Sequence, residues 1–192
     1  MPELPTTARG TATSRRILDA AAHEFAERGI AGARIERITA AAHTNKAQLY
    51  GYFGSKDELF DAVIADHVDR AADTAPFDAH DLPGWAVMLY DENLRRPDLV
   101  RLFTWARLER RAPGLLFSNF DNEQKLRAIA EAQAAGRLRL GNPYDLMALV
   151  IAMASAWSPA SGVYTATAEE PAADHERRRT LLRDCVERAV TP

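Results

Sequence analysis

The chain has 192 residues, 47% hydrophobic and 27% charged, with a formal net charge of −3. That length suffices for one sizeable core or two small ones, and that balance excludes wholesale disorder. A lone cysteine, Cys185, excludes an intramolecular disulfide framework and a cysteine-based metal site, and the five histidines show no ligand spacing.

Residues 1–12, MPELPTTARGTA, lack the apolar core of a signal peptide and read as a flexible tail, so a cytoplasmic location is expected. From Thr13 to Arg28 the spacing of Ile17, Ala21 and Phe25 predicts a first helix, with Gly29 as its stop. Ile35, Ile38 and Ala42 then share one face of a helix of about two turns, which His43 and Thr44 interrupt. Asn45 is a good N-cap for a third helix, Lys46 to Tyr50. Ala47 is expected to turn inward with Leu49, leaving Lys46, Gln48 and Tyr50 to a partner. Ser55 and Glu58 form a capping box that opens a fourth helix, running through Leu59, Phe60, Val63, Ile64 and His67 towards Ala72. Helix, short turn, helix is the arrangement used to read DNA.

Residues 73–84 read as a loop, followed by a helix from Trp85 to Arg95. Pro97 opens a sixth, with Leu99, Leu102, Phe103 and Ala106 as its stripe and Ala112, Pro113 and Gly114 as its end. A seventh spans Ser118 to Ala135 before Gly136, an eighth runs from Pro143 to near Ser158, and a ninth from Asp174 to Val190. With no repeat and no strand alternation, the chain reads as all-α with about nine helices.

Residues 146–168 carry no charge, but Ser158, Pro159, Ser161 and Gly162 break the apolar run after Trp157. The eighth helix is therefore expected to be buried on two sides in protein and not in a bilayer. Paired with a ninth helix striped by Leu181, Leu182, Cys185, Val186 and Ala189, it suits a four-helix interface between two copies, with Val150 and Met153 in the same seam. Completion of a monomer core is the alternative, and in either arrangement Cys185 is expected to be buried.

Charge divides the chain unevenly. Residues 9–56 hold eight Lys or Arg against four acids, while the whole chain is acidic. A basic amino-terminal third on an acidic body suits a DNA-reading head.

The order Ile38, Ala42, Asn45, Lys46, Leu49, Tyr50, Tyr52, Phe53, Ser55, Lys56 and Leu59 resembles the amino-terminal domain of TetR-family transcriptional repressors. The resemblance covers about Arg15 to Phe60. Beyond that, size, helical pattern and the fragments RPDLVRLFTWARLE and EAQAAGRL are similar to the family. The chain departs from the pattern at Arg34 (a capping Thr), Thr39 (Ala), His43 (the turn Gly) and Thr44 (an apolar residue).

What the resemblance implies is a helix-turn-helix domain over 13–56, a ligand-binding and dimerisation domain over 57–192, a homodimer, an operator in double-stranded DNA, and a small-molecule effector. It puts phosphate contacts at Tyr50 and Lys56; Tyr52, Arg34 and the Asn45 cap are further candidates by chemistry. Lys46 suits guanine O6 and N7, and Gln48 suits adenine N6 and N7. An effector cavity would draw on Trp85, Met88, Phe103, Trp105, Phe120, Met147 and Trp157, whose character favours an uncharged, mostly apolar ligand. No cofactor is expected.

Two other readings stay open. A helical protein-interaction module without DNA readout is favoured by Arg34 and His43. For an enzyme, Ser118 has no nearby His, and no nucleophile, base and orienter assemble from local spacing.

Overall fold

The computed structural model describes residues 8–110 and 122–192, with the side chains of all but 8, 9, 71 and 72. Ser118, Phe120 and the stop at Ala112–Gly114 lie outside the described residues. Among the described residues there are nine helices and no strand: α1 Ala8–Gly32, α2 Ile35–Ala41, α3 Lys46–Phe53, α4 Lys56–Thr74, α5 Leu82–Arg95, α6 Pro97–Arg110, α7 Asn122–Ala134, α8 Pro143–Ala154 and α9 Ala172–Val190. None is long and apolar enough to cross a membrane.

Several boundaries move from their expected places, each for a local reason. α3 runs three residues further, to Phe53, and stops where Gly54 takes φ 72°. α5 starts at Leu82 because the Asp81 carboxylate accepts the Gly84 N–H at 2.7 Å, with Pro83 in the first turn. α8 ends at Ala154, four residues early, because the next N–H groups turn to carbonyls three residues back, Ala156 to Met153 and Ser158 to Ser155.

The chain forms two compact units, residues 1–70 with 98–116, and 71–97 with 117–192. The first therefore contains more than the expected head: it includes most of α4 and all but the first residue of α6. Its core is the inner face of α1 (Ile17, Ala21, Phe25) with Ile38, Leu49, Phe53, Leu59, Phe60, Val63 and Ile64, all at most 3% exposed. Phe25 and Phe60 meet edge to face at 5.1 Å between centroids. At the rim, Arg15 of α1 donates to Asp66 of α4 at 2.9 Å.

α1 is interrupted at Gly29, whose φ of 72° and ψ of 179° are reached almost only by glycine. The break frees main-chain groups that α6 then takes up. Arg101 Nε and Trp105 Nε1 donate to the Ala26 carbonyl at 2.9 and 3.2 Å, and the Glu109 carboxylate accepts the N–H groups of Ile30 and Ala31 at 3.0 and 2.7 Å. α6 also reaches α4, where Arg110 pairs with Asp61 at 2.7 Å and lies over the Phe60 ring.

The second unit packs α5 against α8 and α9, with α7 on α8. Leu82, Trp85, Ala86, Tyr90, Ile129, Met147, Val150, Leu182, Val186 and Val190 form its core. Two of its buried polar groups lie on α9: His175, whose Nδ1 is 2.7 Å from the Tyr90 hydroxyl, and Arg178, which pairs with Glu170 at 2.6 Å beneath the Tyr164 ring. These contacts tie the connection between α8 and α9 down onto the body.

This packing corrects part of the expected dimer seam. Val150, Leu182 and Val186 are at most 2% exposed within their own unit, so they have no surface left to bury against a second copy. Met153 and Ala189 are half-buried, while Leu181 and Cys185 point outward, against the expectation that Cys185 is buried.

Two glycines should respond in opposite directions. An alanine at Gly29 must hold a left-handed φ, and its Cβ would sit 2.9 Å from Trp105 Cε3. Gly29→Ala is expected to cost about 2–3 kcal/mol. Gly51 lies inside α3 with open space at its Cβ position, so Gly51→Ala should add about 0.5–1 kcal/mol. Urea unfolding of both variants checks the signs.

Candidate nucleic-acid interface

The interface is built by fixing the ends of two helices too short to persist alone. At the start of α2 the N-cap, Arg34, makes no side-chain cap. Its place is taken from α1 by Glu24, whose carboxylate accepts the Arg34 backbone N–H at 3.0 Å and Arg37 Nε at 2.7 Å. Burial pushes the Glu24 carboxyl up, but the hydrogen bonds from Arg37 and the Arg34 backbone, with the charges of Arg37 and Arg28, outweigh it and hold it below the usual carboxylate range.

At the other end of α2, His43 takes φ 50°. This left-handed stop lets the Thr44 N–H reach the Thr39 carbonyl at 3.0 Å and the His43 N–H reach that of Ala40 at 3.2 Å. Arg16 of α1 donates to the Ala42 carbonyl at 3.2 Å. Thr39, buried, donates its hydroxyl to the Ile35 and Glu36 carbonyls at 3.0 and 3.1 Å. Three of the four departures from the family pattern, Arg34, Thr39 and His43, are thus absorbed by local hydrogen bonds, and the fourth, Thr44, bonds to α3.

α3 opens as expected, with Asn45 Oδ1 accepting the Gln48 N–H at 2.8 Å. Leu49 and Phe53, one turn apart, form its inner edge. Ala47 is exposed, not inward: two residues from Leu49, it sits about 200° around the helix axis. The outward face of α3 therefore carries Lys46, Ala47, Gln48, Tyr50 and Gly51. The small pair, Ala47 and Gly51, was missed in the sequence; their i, i+4 spacing is the signal that could have found them. Their small side chains leave the α3 backbone open on this face.

Each candidate contact residue has a definite setting. Lys46 Nζ is 2.5 Å from Glu36 Oε1, both side chains being exposed. That hydrogen bond raises the Lys46 ammonium and lowers the Glu36 carboxyl. The Thr44 hydroxyl lies 2.5 Å from Gln48 Oε1. Arg34 and Asn45 are exposed, as is Tyr50 at 41%, whereas Tyr52 and Lys56 are half-buried. Tyr52 packs on Phe53, and Lys56 Nζ donates to the Ala33 carbonyl at 3.4 Å. Behind them Ser55 Oγ accepts the Glu58 N–H at 3.1 Å and starts α4.

The expected effector set divides. Phe103 and Trp105 belong to the first unit, where Trp105 lies over Gly29, and Phe120 falls outside the described residues. Trp85 and Met147 are buried in the second unit's core, with Met88 and Trp157 packed against it and Trp157 edge-on to Tyr90 at 5.8 Å. A shallow groove also runs along the outer face of α9 between Ala173, Glu176, Arg177, Thr180, Leu181 and Asp184. No cluster suited to a metal ion occurs among the described residues.

Two family descriptions match the chain. Residues 17–63 match the family described as bacterial regulatory proteins, tetR family, and residues 81–188 match that described as tetracyclin repressor-like, C-terminal domain. The HTH-type transcriptional repressor SCO4008 of Streptomyces coelicolor is 38% identical over 148 residues, covering 75% of this chain and 77% of that protein. The HTH-type transcriptional repressor NicS of Pseudomonas putida is 32% identical over 135 residues, covering 66% of this chain and 60% of that protein. The crystal structure of SCO4942 from Streptomyces coelicolor superposes with a TM-score of 0.75 at 35% identity, covering 93% of this chain and 98% of that one.

The Glu24 tie carries a pH signature. Its depressed carboxyl contributes stability that is present above the unfolded-state value near 4.5 and lost as pH falls through the lower folded-state value. Glu24→Gln should cost about 1 kcal/mol at pH 7, discounted for its half-exposed arginine partners. The difference from the parent should shrink between pH 7 and an acidic pH below 4.5, as pH falls through the lower folded-state value and Glu24 becomes neutral. Urea titrations at the two pH values measure it.

Proposed function

Since the chain belongs to the tetR family of bacterial regulatory proteins, and so is a DNA-binding transcriptional regulator, we propose that it acts as a dimeric repressor released from its operator by a small, mostly apolar molecule. The observation that carries this reading is the outward face of α3, where Lys46, Ala47, Gln48, Tyr50 and Gly51 stand exposed on a helix capped by Asn45 and seated by Leu49 and Phe53. That face enters the major groove. Tyr50, Tyr52, Lys56, Arg34 and the backbone at Asn45 hold phosphates, fixing register. Lys46 reads guanine. Gln48, its Oε1 engaged by Thr44, presents its Nε2 hydrogens to an acceptor on a base edge, and Ala47 lies against a thymine methyl.

A repressive role agrees with the similarity to SCO4008 and NicS, both HTH-type transcriptional repressors. Arg34 and His43, which had favoured a protein-interaction module, have ordinary structural roles, so that module has no remaining support. The second copy sits on the outward faces of α8 and α9. Leu149, Ile151 and Leu181 are 57%, 41% and 52% exposed there, and Cys185 lies beside Leu181. Two-fold pairing presents two α3 helices, so the operator is an inverted repeat. The effector occupies the second unit near Met88, Met147 and Trp157, and it binds the DNA-incompetent state more tightly, since equal affinity would shift nothing.

Mobility-shift and anisotropy titrations against the promoter beside the encoding gene test the head. Gln48→Ala should relax preference at one operator position by about 1–3 kcal/mol. Tyr50→Phe and Lys56→Ala should weaken binding to all sequences alike, with Lys56→Ala making the salt slope shallower by about one phosphate. Full sequence preference in Gln48→Ala removes its role as a base reader.

The dimer is tested on α9. Leu181→Glu should lower self-association and operator affinity together without unfolding the unit, because Leu181 is outside the core. Light scattering that finds the parent chain monomeric at micromolar concentration while it binds its operator fully sinks the two-fold arrangement.

A further inference from the structure

We propose that Glu36 is a base-reading residue, forming with Lys46 a two-residue reader of one G·C pair in each operator half-site; this rests on the assignment of α3 as the recognition helix. Glu36 lies in the first turn of α2 and Lys46 in the first turn of α3, and their charged ends are 2.5 Å apart with side chains 63% and 55% exposed. A bare carboxylate on a surface that meets a polyanion opposes binding. Glu24, Asp19 and Asp66 are turned to internal ties, Glu24 to Arg34, Arg37 and Arg28, Asp19 to Arg15 and Arg70, and Asp66 to Arg15 and Arg70, while Asp57 and Glu58 stand exposed at the start of α4. Glu36 instead stands next to the cation that reaches the bases.

The chemistry of the pair selects its target. In the major groove guanine offers two neighbouring acceptors, N7 and O6, which suit an ammonium, and cytosine offers the N4 donor, which suits a carboxylate. Guanine O6 and cytosine N4 are hydrogen-bonded to each other. An ammonium and a carboxylate already in contact can therefore meet them side by side, Lys46 donating to guanine and Glu36 accepting from cytosine. An acceptor-only edge would leave the carboxylate desolvated without a donor, so Glu36 discriminates by penalty as well as by contact.

Selection of bound duplexes from a randomised pool, with the full-length protein and with Glu36→Ala, Lys46→Ala and the double variant, tests the assignment. The parent should enrich a G·C pair at one position of each half-site. Glu36→Ala should lose about tenfold of that preference while binding unselected DNA more tightly. Lys46→Ala should reduce preference at the same position, and the double variant should lose less than the product of the two single losses. Both side chains are exposed, so melting temperatures should stay close to the parent's; Lys46→Ala reports on the same position should Glu36→Ala fold poorly. A Glu36→Ala protein that binds every sequence more tightly by one common factor, with its selected site unchanged, overturns the proposal and leaves the regulator reading intact. A parent that selects no sequence removes both.

Discussion

The recognition unit depends on one contact, the Glu109 carboxylate seated on the main-chain N–H groups of Ile30 and Ala31. Gly29 breaks α1 and exposes those donors, together with the Ala26 carbonyl that Arg101 and Trp105 take up. The turn beyond the break directs the chain through Ala33 and Arg34 into α2. Arg34 has extended φ and ψ, and its N–H falls to Glu24. Other helix ends of the head are also closed by side chains, Ala42 by Arg16 from α1, and Gln48 and Glu58 by the adjacent caps Asn45 and Ser55. Helices of seven and eight residues have little stability of their own, so these closures and the Leu49 and Phe53 anchors decide where the outward face of α3 stands.

Local chemistry was legible in the sequence. The Asn45 cap, the Ser55 cap, the Gly29 stop and the inward stripe of α1 are set by neighbours within a few residues, and each is where its spacing placed it, although the expected Ser55–Glu58 box forms only its Ser55 half, the Ser55 N–H going to the Phe53 carbonyl. Closures that span distance were not: Glu24 acts ten residues from Arg34 and Glu109 nearly eighty from Ile30, and neither separation leaves a periodic trace. Ala47 faces outward because helical angle, and not apolar character, sets its side of α3. In α8 and α9, periodicity identified the apolar positions but not which of two apolar faces looks inward. Leu146, Met147, Val150 and Ala154 fill the core, and Leu149 and Ile151 face out. A helix that is apolar all round carries no sequence signal that separates those faces.

The charge division seen in the sequence acquires a structural meaning. Many basic residues of the head are not a loose cloud around DNA. Arg15, Arg28 and Arg37 are spent on Asp66, Glu24 and neighbouring acids, holding α1, α2 and α4 in register. Few cations on the α2–α3 face are left for a duplex, so readout by this head rests on the placement of a few groups more than on bulk attraction. That balance favours discrimination over non-specific affinity.

Because Glu109 grips amide hydrogens and not side chains, it does not sense which residue it holds. The exposed Ala31 can drift through evolution to almost any other residue without loosening the joint, as long as an N–H remains. Proline, which has none, is the exception. The latch on the recognition unit is thus written in the residue that grasps, and comparison of relatives at the grasped position would give no hint that a latch is there.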